Sequence, residues 1–234
     1  MKEKGNSSTA GRSLDSYFAI LDAAAQVFNQ KGYNRATVQD IATAANLTKG
    51  GLYHHLSSKE QALYGINERI LSSLLTDVGA VASDQQLSVS LRIQSVIEVM
   101  VRQHDTLVPY LRVALLDFGS LEGEHREQIF SLRHQLENII KTLLAEGIKE
   151  GVIVDEDPDL LSKFLFGAVN WMCMWYQPSG KVSATAIGEL FAQITLHGLA
   201  PAPEFPRSPN GIGGGVGQAV KPLFRAPSRL VPRS

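Results

Sequence analysis

Residues 37–64, TVQDIATAANLTKGGLYHHLSSKEQALY, decide the fold. Thr37 is a hydroxyl N-cap for a short helix, VQDIATAA (38–45), and Asp40 falls in its first turn, where negative charge suits the helix dipole. Asn46 and Leu47 make a tight turn. Thr48 caps a second short helix, predicted to run through His55, and Ser57 or Ser58 caps a long one from Lys59 to about Val81. At about 100° per residue, Leu52 and Leu56 share one face, suited to packing on Ile41, Ala42 and Ala45. Gly50, Gly51 and His54 point the other way, flanked by Lys49, Tyr53 and His55.

Helical periodicity extends in both directions from this segment. Upstream, Leu14, Phe18, Leu21, Ala25 and Phe28 recur at three- and four-residue spacing, predicting a helix over Ser13–Gln30 that ends at Gly32. Downstream the pattern predicts helices near 87–104, 109–119, 124–150, 158–176 and 183–199, with Pro109 and Pro158 at or near first-turn positions. No run alternates with a strand period, so the fold class is all-α. The boundaries expected are a flexible N-terminal arm over 1–12, a helical domain over 13–60, a second over 61–200, and a disordered tail over 201–234. That tail is rich in Pro, Gly and Ser, and its closing LVPRS resembles an engineered cleavage linker.

Composition narrows the function classes. With 234 residues and 44% hydrophobic content the chain can fill a core without staples. Cys173 is the single cysteine, which excludes an intramolecular disulfide framework and points to a reducing, cytoplasmic setting. A signal peptide and a membrane-spanning stretch are not expected. Residues 1–60 carry seven Lys/Arg against five Asp/Glu, and the remainder fifteen against eighteen, so charge is modestly polarised toward a basic N-terminal part.

Two adjacent glycines early in a helix cost about 1 kcal/mol each relative to alanine, and such a cost is offset where something must approach closely. In the DNA major groove, about 12 Å wide, small residues let backbone near base edges and phosphates. Lys49, Tyr53, His55 and Lys59 are candidates for phosphate contacts, with Thr37 and Thr48 adding hydroxyls or first-turn amides. Gln39 and His54 are the candidates for reading bases. Taken singly, each of these residues has an ordinary solvated-surface reading. Taken together, caps, turn, apolar inner face and polar outer face agree.

Residues 13–64, through AILDAAAQVFNQKGY and then TVQDIATAANLTKGGLYHHLSSKEQALY, resemble the DNA-binding domain of the TetR family of regulators. The resemblance implies that Thr37, Gln39, Lys49, Gly51, Tyr53, His54, His55 and Lys59 contact operator DNA. Two positions depart from the family pattern. Leu56 stands where phenylalanine is frequent, and Gly51 stands where serine or threonine is common, which removes a possible hydroxyl contact. Lys2, Lys4 and Arg12 could form a basic arm along the DNA backbone.

The same resemblance implies a homodimer whose long fourth helix leads to an effector-binding and dimerisation domain. Residues 164–176, FLFGAVNWMCMWY, are apolar all round, as in a helix covered on more than one face. The expectation is that one side meets a partner subunit and another lines a pocket, with Ile187, Leu190, Phe191, Ile194 and Leu196 extending the interface. The stretch NWMCMWYQPSG is similar to that of TetR relatives responding to acyl-CoA thioesters. The pocket expected is lined by Met100, Leu115, Phe118, Trp171, Met174 and Trp175 and suits an acyl-CoA or aromatic compound, with Arg112 placed to meet a carboxylate or phosphate. No cofactor is called for. Glu122 with His125, and His134 with Glu137, give only part of a carboxylate-bridged metal motif. The competing reading is a helical ligand carrier or enzyme that has kept a helix-turn-helix-like start.

Overall fold

The computed structural model describes residues 7–198, with side chains from residue 14, and among these residues it is helical without strands. The tail expected over 201–234 and the first six residues of the N-terminal arm lie outside the described residues.

Helix α1 spans Ser7–Lys31, beginning earlier than the apolar stripe alone requires, so residues 7–12 are helical. Leu21, Ala25 and Phe28 are buried as the stripe demands, whereas Leu14 is exposed. Gly32 ends α1 at a φ of 77°, which a side chain would strain, and a 3-10 turn over Tyr33–Arg35 follows. Helix α2 is Val38–Ala44, α3 is Lys49–Tyr53 and α4 is Lys59–Ala82. Ile41, Ala42, Leu52 and Leu56 are buried together, with Ala45 against them, as the spacing predicts.

Helix α5 runs over Val89–Leu116, where the sequence pattern predicts two helices. The chain does bend there: Leu107 has non-helical φ and ψ (−116°, 16°), two residues before Pro109. A proline inside a helix removes one amide donor and clashes with the preceding turn, so the helix kinks without breaking. A second 3-10 turn, Phe118–Ser120, leads to α6, Gly123–Lys149. The helix expected over 158–176 divides into α7, Pro158–Asn170, and α8, Met172–Trp175, joined at Trp171. Helix α9 is Ala184–Gly198.

The core is continuous from α1 to α9. Helix α5 packs on α4, α9 and α1, while α6 covers α4 and α7. Helices α1 and α4 approach closely at Gly65, where a Cβ would strike the Tyr17 hydroxyl. No described helix is long and apolar enough to cross a membrane.

Candidate DNA interface and ligand cavity

Each short helix at residues 37–58 is fixed by a cap that uses its own polar atoms. Thr37 Oγ1 accepts from the Asp40 amide at 3.1 Å and donates to Asp40 Oδ2 at 2.8 Å, while that carboxylate accepts the Thr37 amide at 3.0 Å. This reciprocal box satisfies donors that the first turn leaves open. Lys31 Nζ lies 2.6 Å from Asp40 Oδ1, and this ammonium, with the Thr37 hydrogen bonds, holds the Asp40 carboxyl down at about 2. Asn46 makes the turn at a φ of 55°, a left-handed conformation that asparagine tolerates better than most residues. Thr48 Oγ1 then accepts from the Gly51 amide at 3.0 Å.

Helix α3 is shorter than expected, with His54 as its C-cap and the His55 amide donating to the Leu52 carbonyl. The two glycines play different parts. A Cβ on Gly51 would lie 3.2 Å from Thr48 Oγ1, a tight contact with the cap, whereas a Cβ on Gly50 would meet nothing within 4 Å. Gly50 leaves the outer face of α3 open. Around it Thr37, Gln39, Thr48, Lys49, Tyr53 and His54 are exposed, and Lys49 Nζ stands 5.9 Å from the Tyr53 ring. Gly51 and His55 are half-buried.

Lys59, a candidate for phosphate contact, is engaged within the chain. Its ammonium donates to the carbonyls of Tyr33 (3.0 Å), Asn34 (3.2 Å) and Ala36 (3.2 Å) and lies 4.6 Å from the Tyr33 ring centroid. An ammonium has three donors, and three carbonyls lie within hydrogen-bond reach of it. Lys59 thus ties the start of α4 to the segment that delivers α2.

The second site is a cavity of about 320 Å3 between α4, α5, α6 and α7. Of the residues expected there, Met100 and Leu115 line it. Phe118 stands behind, its ring centroid 4.0 Å from the Arg133 guanidinium carbon. Arg112, Trp171, Met174 and Trp175 are exposed and do not line it, which corrects the expected pocket. The reason is helical phase: α7 gives Phe166, Val169 and Asn170 to the cavity, and the step at Trp171 turns Trp171, Met174 and Trp175 outward.

Asn67, His104 and Arg133 also line the cavity and were missed by sequence reasoning. The signal existed: His104 continues the stripe Ile93, Ile97, Met100, and Arg133 falls within Ile129, Leu136, Ile140, so each is a polar residue on an apolar face. Of the two partial metal motifs, the first pairs outside itself and the second only within itself. His125 Nδ1 is 2.9 Å from Glu60 and its ring stacks on Tyr64 at 4.4 Å, while His134 is 3.8 Å from Glu137.

Around the kink of α5, helices α1 and α4 are joined to the cavity wall. Asn29 Nδ2 donates to the Pro109 carbonyl at 2.7 Å, the Tyr110 hydroxyl donates to Asp22, and Arg69 donates to that hydroxyl at 2.8 Å while covering Phe18. Burial and the Asp22 carboxylate push the Tyr110 phenol well above its ordinary value, so it acts as a donor at any physiological pH.

Comparison with known proteins agrees with this geometry. Residues 20–63 match the model for bacterial regulatory proteins of the tetR family, and residues 86–199 match that for the tetracyclin repressor-like C-terminal domain. The chain is 28% identical over 186 residues to the HTH-type transcriptional repressor KstR2 of Rhodococcus jostii, covering 77% of this chain and 89% of that one. It is 30% identical to the TetR family regulator PfmR of Thermus thermophilus, with a TM-score of 0.72 over 77% of this chain and 98% of that one. It also shares its fold, at 24% identity and a TM-score of 0.70 over 77% and 98% of the two chains, with AibR solved with isovaleryl coenzyme A and operator DNA. By both its halves this chain belongs to the TetR family of bacterial transcriptional regulators.

Proposed function

We propose that the chain is a homodimeric repressor that binds a palindromic operator through α2 and α3 and leaves it when a small apolar effector fills the cavity. The observation that carries the DNA-binding part is the motif at 37–58: two capped helices, an asparagine turn, a buried inner face, and an exposed outer face around Gly50. In this reading Lys49, Tyr53 and the Thr48 region set the register on phosphates, and Gln39 and His54 meet base edges. The relatives named as repressors support the sign of regulation.

Dimerisation is supported by an uncovered apolar surface. Leu160, Phe164, Trp171, Trp175, Leu190 and Ile194 are each about half exposed or more, on α7, α8 and α9 and the step between α7 and α8. Clusters of large exposed apolar side chains at this density mark interaction sites. A two-fold pairing of these helices would set the two α3 helices about one DNA turn apart, roughly 34–36 Å.

Effector release follows from the dual role of α5. Beyond its kink, Leu111, Ala114 and Leu115 line the cavity, while Pro109 and Tyr110 hold α1. A ligand that prefers one position of this segment shifts the population toward dimers with the wrong α3 spacing. The competing enzyme reading gains no support from Cys173, which is buried and whose thiol burial pushes up, away from the thiolate.

The test is fluorescence anisotropy with the protein's own upstream DNA across a salt series. Sequence-selective, salt-dependent binding that falls at least tenfold in Tyr53→Ala is expected. Unselective binding, or an unaffected Tyr53→Ala, would sink the DNA-binding reading.

A further inference from the structure

Charge in the cavity wall is distributed unevenly. Glu137 and Lys163 both line it, but they are compensated: Lys163 stands 3.8 Å from Glu137 and against Asp159, and Lys141 is 3.3 Å from Glu137. Arg133 has no carboxylate within 4 Å among the described residues. Its Nη2 donates to the Ala114 carbonyl at 2.7 Å and to Asn67 Oδ1 at 3.3 Å, and its Nε is buried without a partner. A guanidinium keeps its proton, so half-buried Arg133 presents to the cavity a charge that an entering anion can pair.

His104 is the second unmet group. It is 2% exposed, and its Nδ1 lies 3.2 Å from the Val101 carbonyl, a contact that requires the proton on Nδ1. Nε2 is then a lone-pair acceptor, and it has no partner. Burial pushes this imidazole below its ordinary value, so it adds no second cation at neutral pH. The wall therefore offers one uncompensated positive charge in a mainly aliphatic setting of Ile70, Leu71, Leu74, Met100 and Leu111.

We propose that the effector is a small apolar monocarboxylic acid bound as its free anion, with the carboxylate against Arg133 and the body in the cavity. This rests on the effector-responsive reading above and narrows it. Size agrees: about 320 Å3 falls within the range of about 300–1,000 Å3 found for small-molecule sites. The far larger, polyanionic coenzyme A group would have to stay outside, and a thioester carbonyl carries no charge to neutralise Arg133. A free acid brings to Arg133 a charge of its own, which the thioester carbonyl of a coenzyme A ester lacks.

Isothermal titration of the full chain with octanoate and 4-phenylbutyrate, their methyl esters, and octanoyl-CoA tests this. At least one acid should bind tenfold or more tightly than its methyl ester and than octanoyl-CoA, and should release upstream DNA. Arg133→Gln should lose that binding by at least tenfold while Arg133→Lys recovers part of it, with circular dichroism confirming the fold of each. If Arg133→Gln does not fold, the comparison of acid, ester and thioester on the unaltered protein decides alone. Equal or tighter binding of an ester or of octanoyl-CoA, or no binding of either acid, overturns the proposal. Ligand-free protein that fails to bind its upstream DNA would instead refute the regulatory reading, so the two failures are distinguishable.

Discussion

Replacing Lys59 by methionine keeps a long apolar stem and removes only the ammonium, which separates two roles for this residue. As a brace it holds three backbone carbonyls and the Tyr33 ring. A hydrogen bond from a charged donor contributes about 1.5–3 kcal/mol when well shielded, and an exposed cation over an aromatic ring about 0.5–1 kcal/mol. Lys59 is half-buried and water can replace it at Asn34, so the expected loss is about 2 kcal/mol in total. In a protein of this size that lowers Tm by about 4–8 °C, readable by differential scanning fluorimetry. Operator affinity should fall because α2 is no longer held against α4, yet the slope of log K against log salt should stay as it is. Lys49→Ala should behave in the opposite way, leaving Tm unchanged and reducing the slope by about 0.9 for each phosphate that Lys49 neutralises. If Lys59→Met flattened the salt slope without lowering Tm, Lys59 would be a phosphate ligand and the bracing argument would be wrong.

Asp40 gives a pH test. Its folded carboxyl is held at about 2 against an ordinary 3.8, so the stability it contributes is present above pH 4 and is lost as pH falls toward 2. Asp40→Asn should be less stable than the unaltered protein between pH 5 and 7, with the gap closing below pH 4 in acid melts; a constant gap would contradict this. Ile194→Glu places a charge in the exposed apolar surface of α9 and should give monomers by light scattering, with weakened operator binding and an unchanged monomer fold by circular dichroism. A dimer of undiminished strength would move the interface elsewhere. Tyr110→Phe removes the donor to Asp22 and should cost about 1–2 kcal/mol while raising the effector concentration needed for DNA release, measured by anisotropy in the presence of the acid.

The helix-turn-helix is legible in the sequence because its signals are local. Thr37 and Thr48 cap the helices they precede, and Leu52 and Leu56 are buried at the spacing that predicts it. The bracing contacts of Lys59 are not legible for the opposite reason: its partners lie more than twenty residues away in sequence, on carbonyls that carry no side-chain signature. The apolar run 164–176 reads as covered on more than one face, but periodicity does not reveal which face takes which neighbour. Trp171 and Trp175 consequently stand in the expected pocket, although the step after Asn170 turns them outward. His104 and Arg133 sit in register with apolar stripes, and a polar residue in such a stripe is informative only once the opposing wall is known.

Helix α5 contains Pro109 in its interior, and the kink there separates two packing environments. An uninterrupted α5 would carry Met100 and Leu115 on one rigid rod, fixed by the α9 contact at its N-terminal half, and the cavity wall could not move without the whole bundle. The kink at Leu107 divides that rod. The N-terminal part stays with α9, where Gly188 lets the backbones approach so closely that a Cβ would lie 3.3 Å from the Glu98 Cα. The C-terminal part carries cavity residues on one side and, through Pro109 and Tyr110, the anchors of α1 on the other. A ligand inside the cavity can therefore bias a short segment instead of a helix of 28 residues. Straightening the rod with Pro109→Ala should raise stability, since it restores an amide donor and helix propensity. It should also reduce effector-induced release from DNA, and a stabilised variant with undiminished release would show that the signal travels another way.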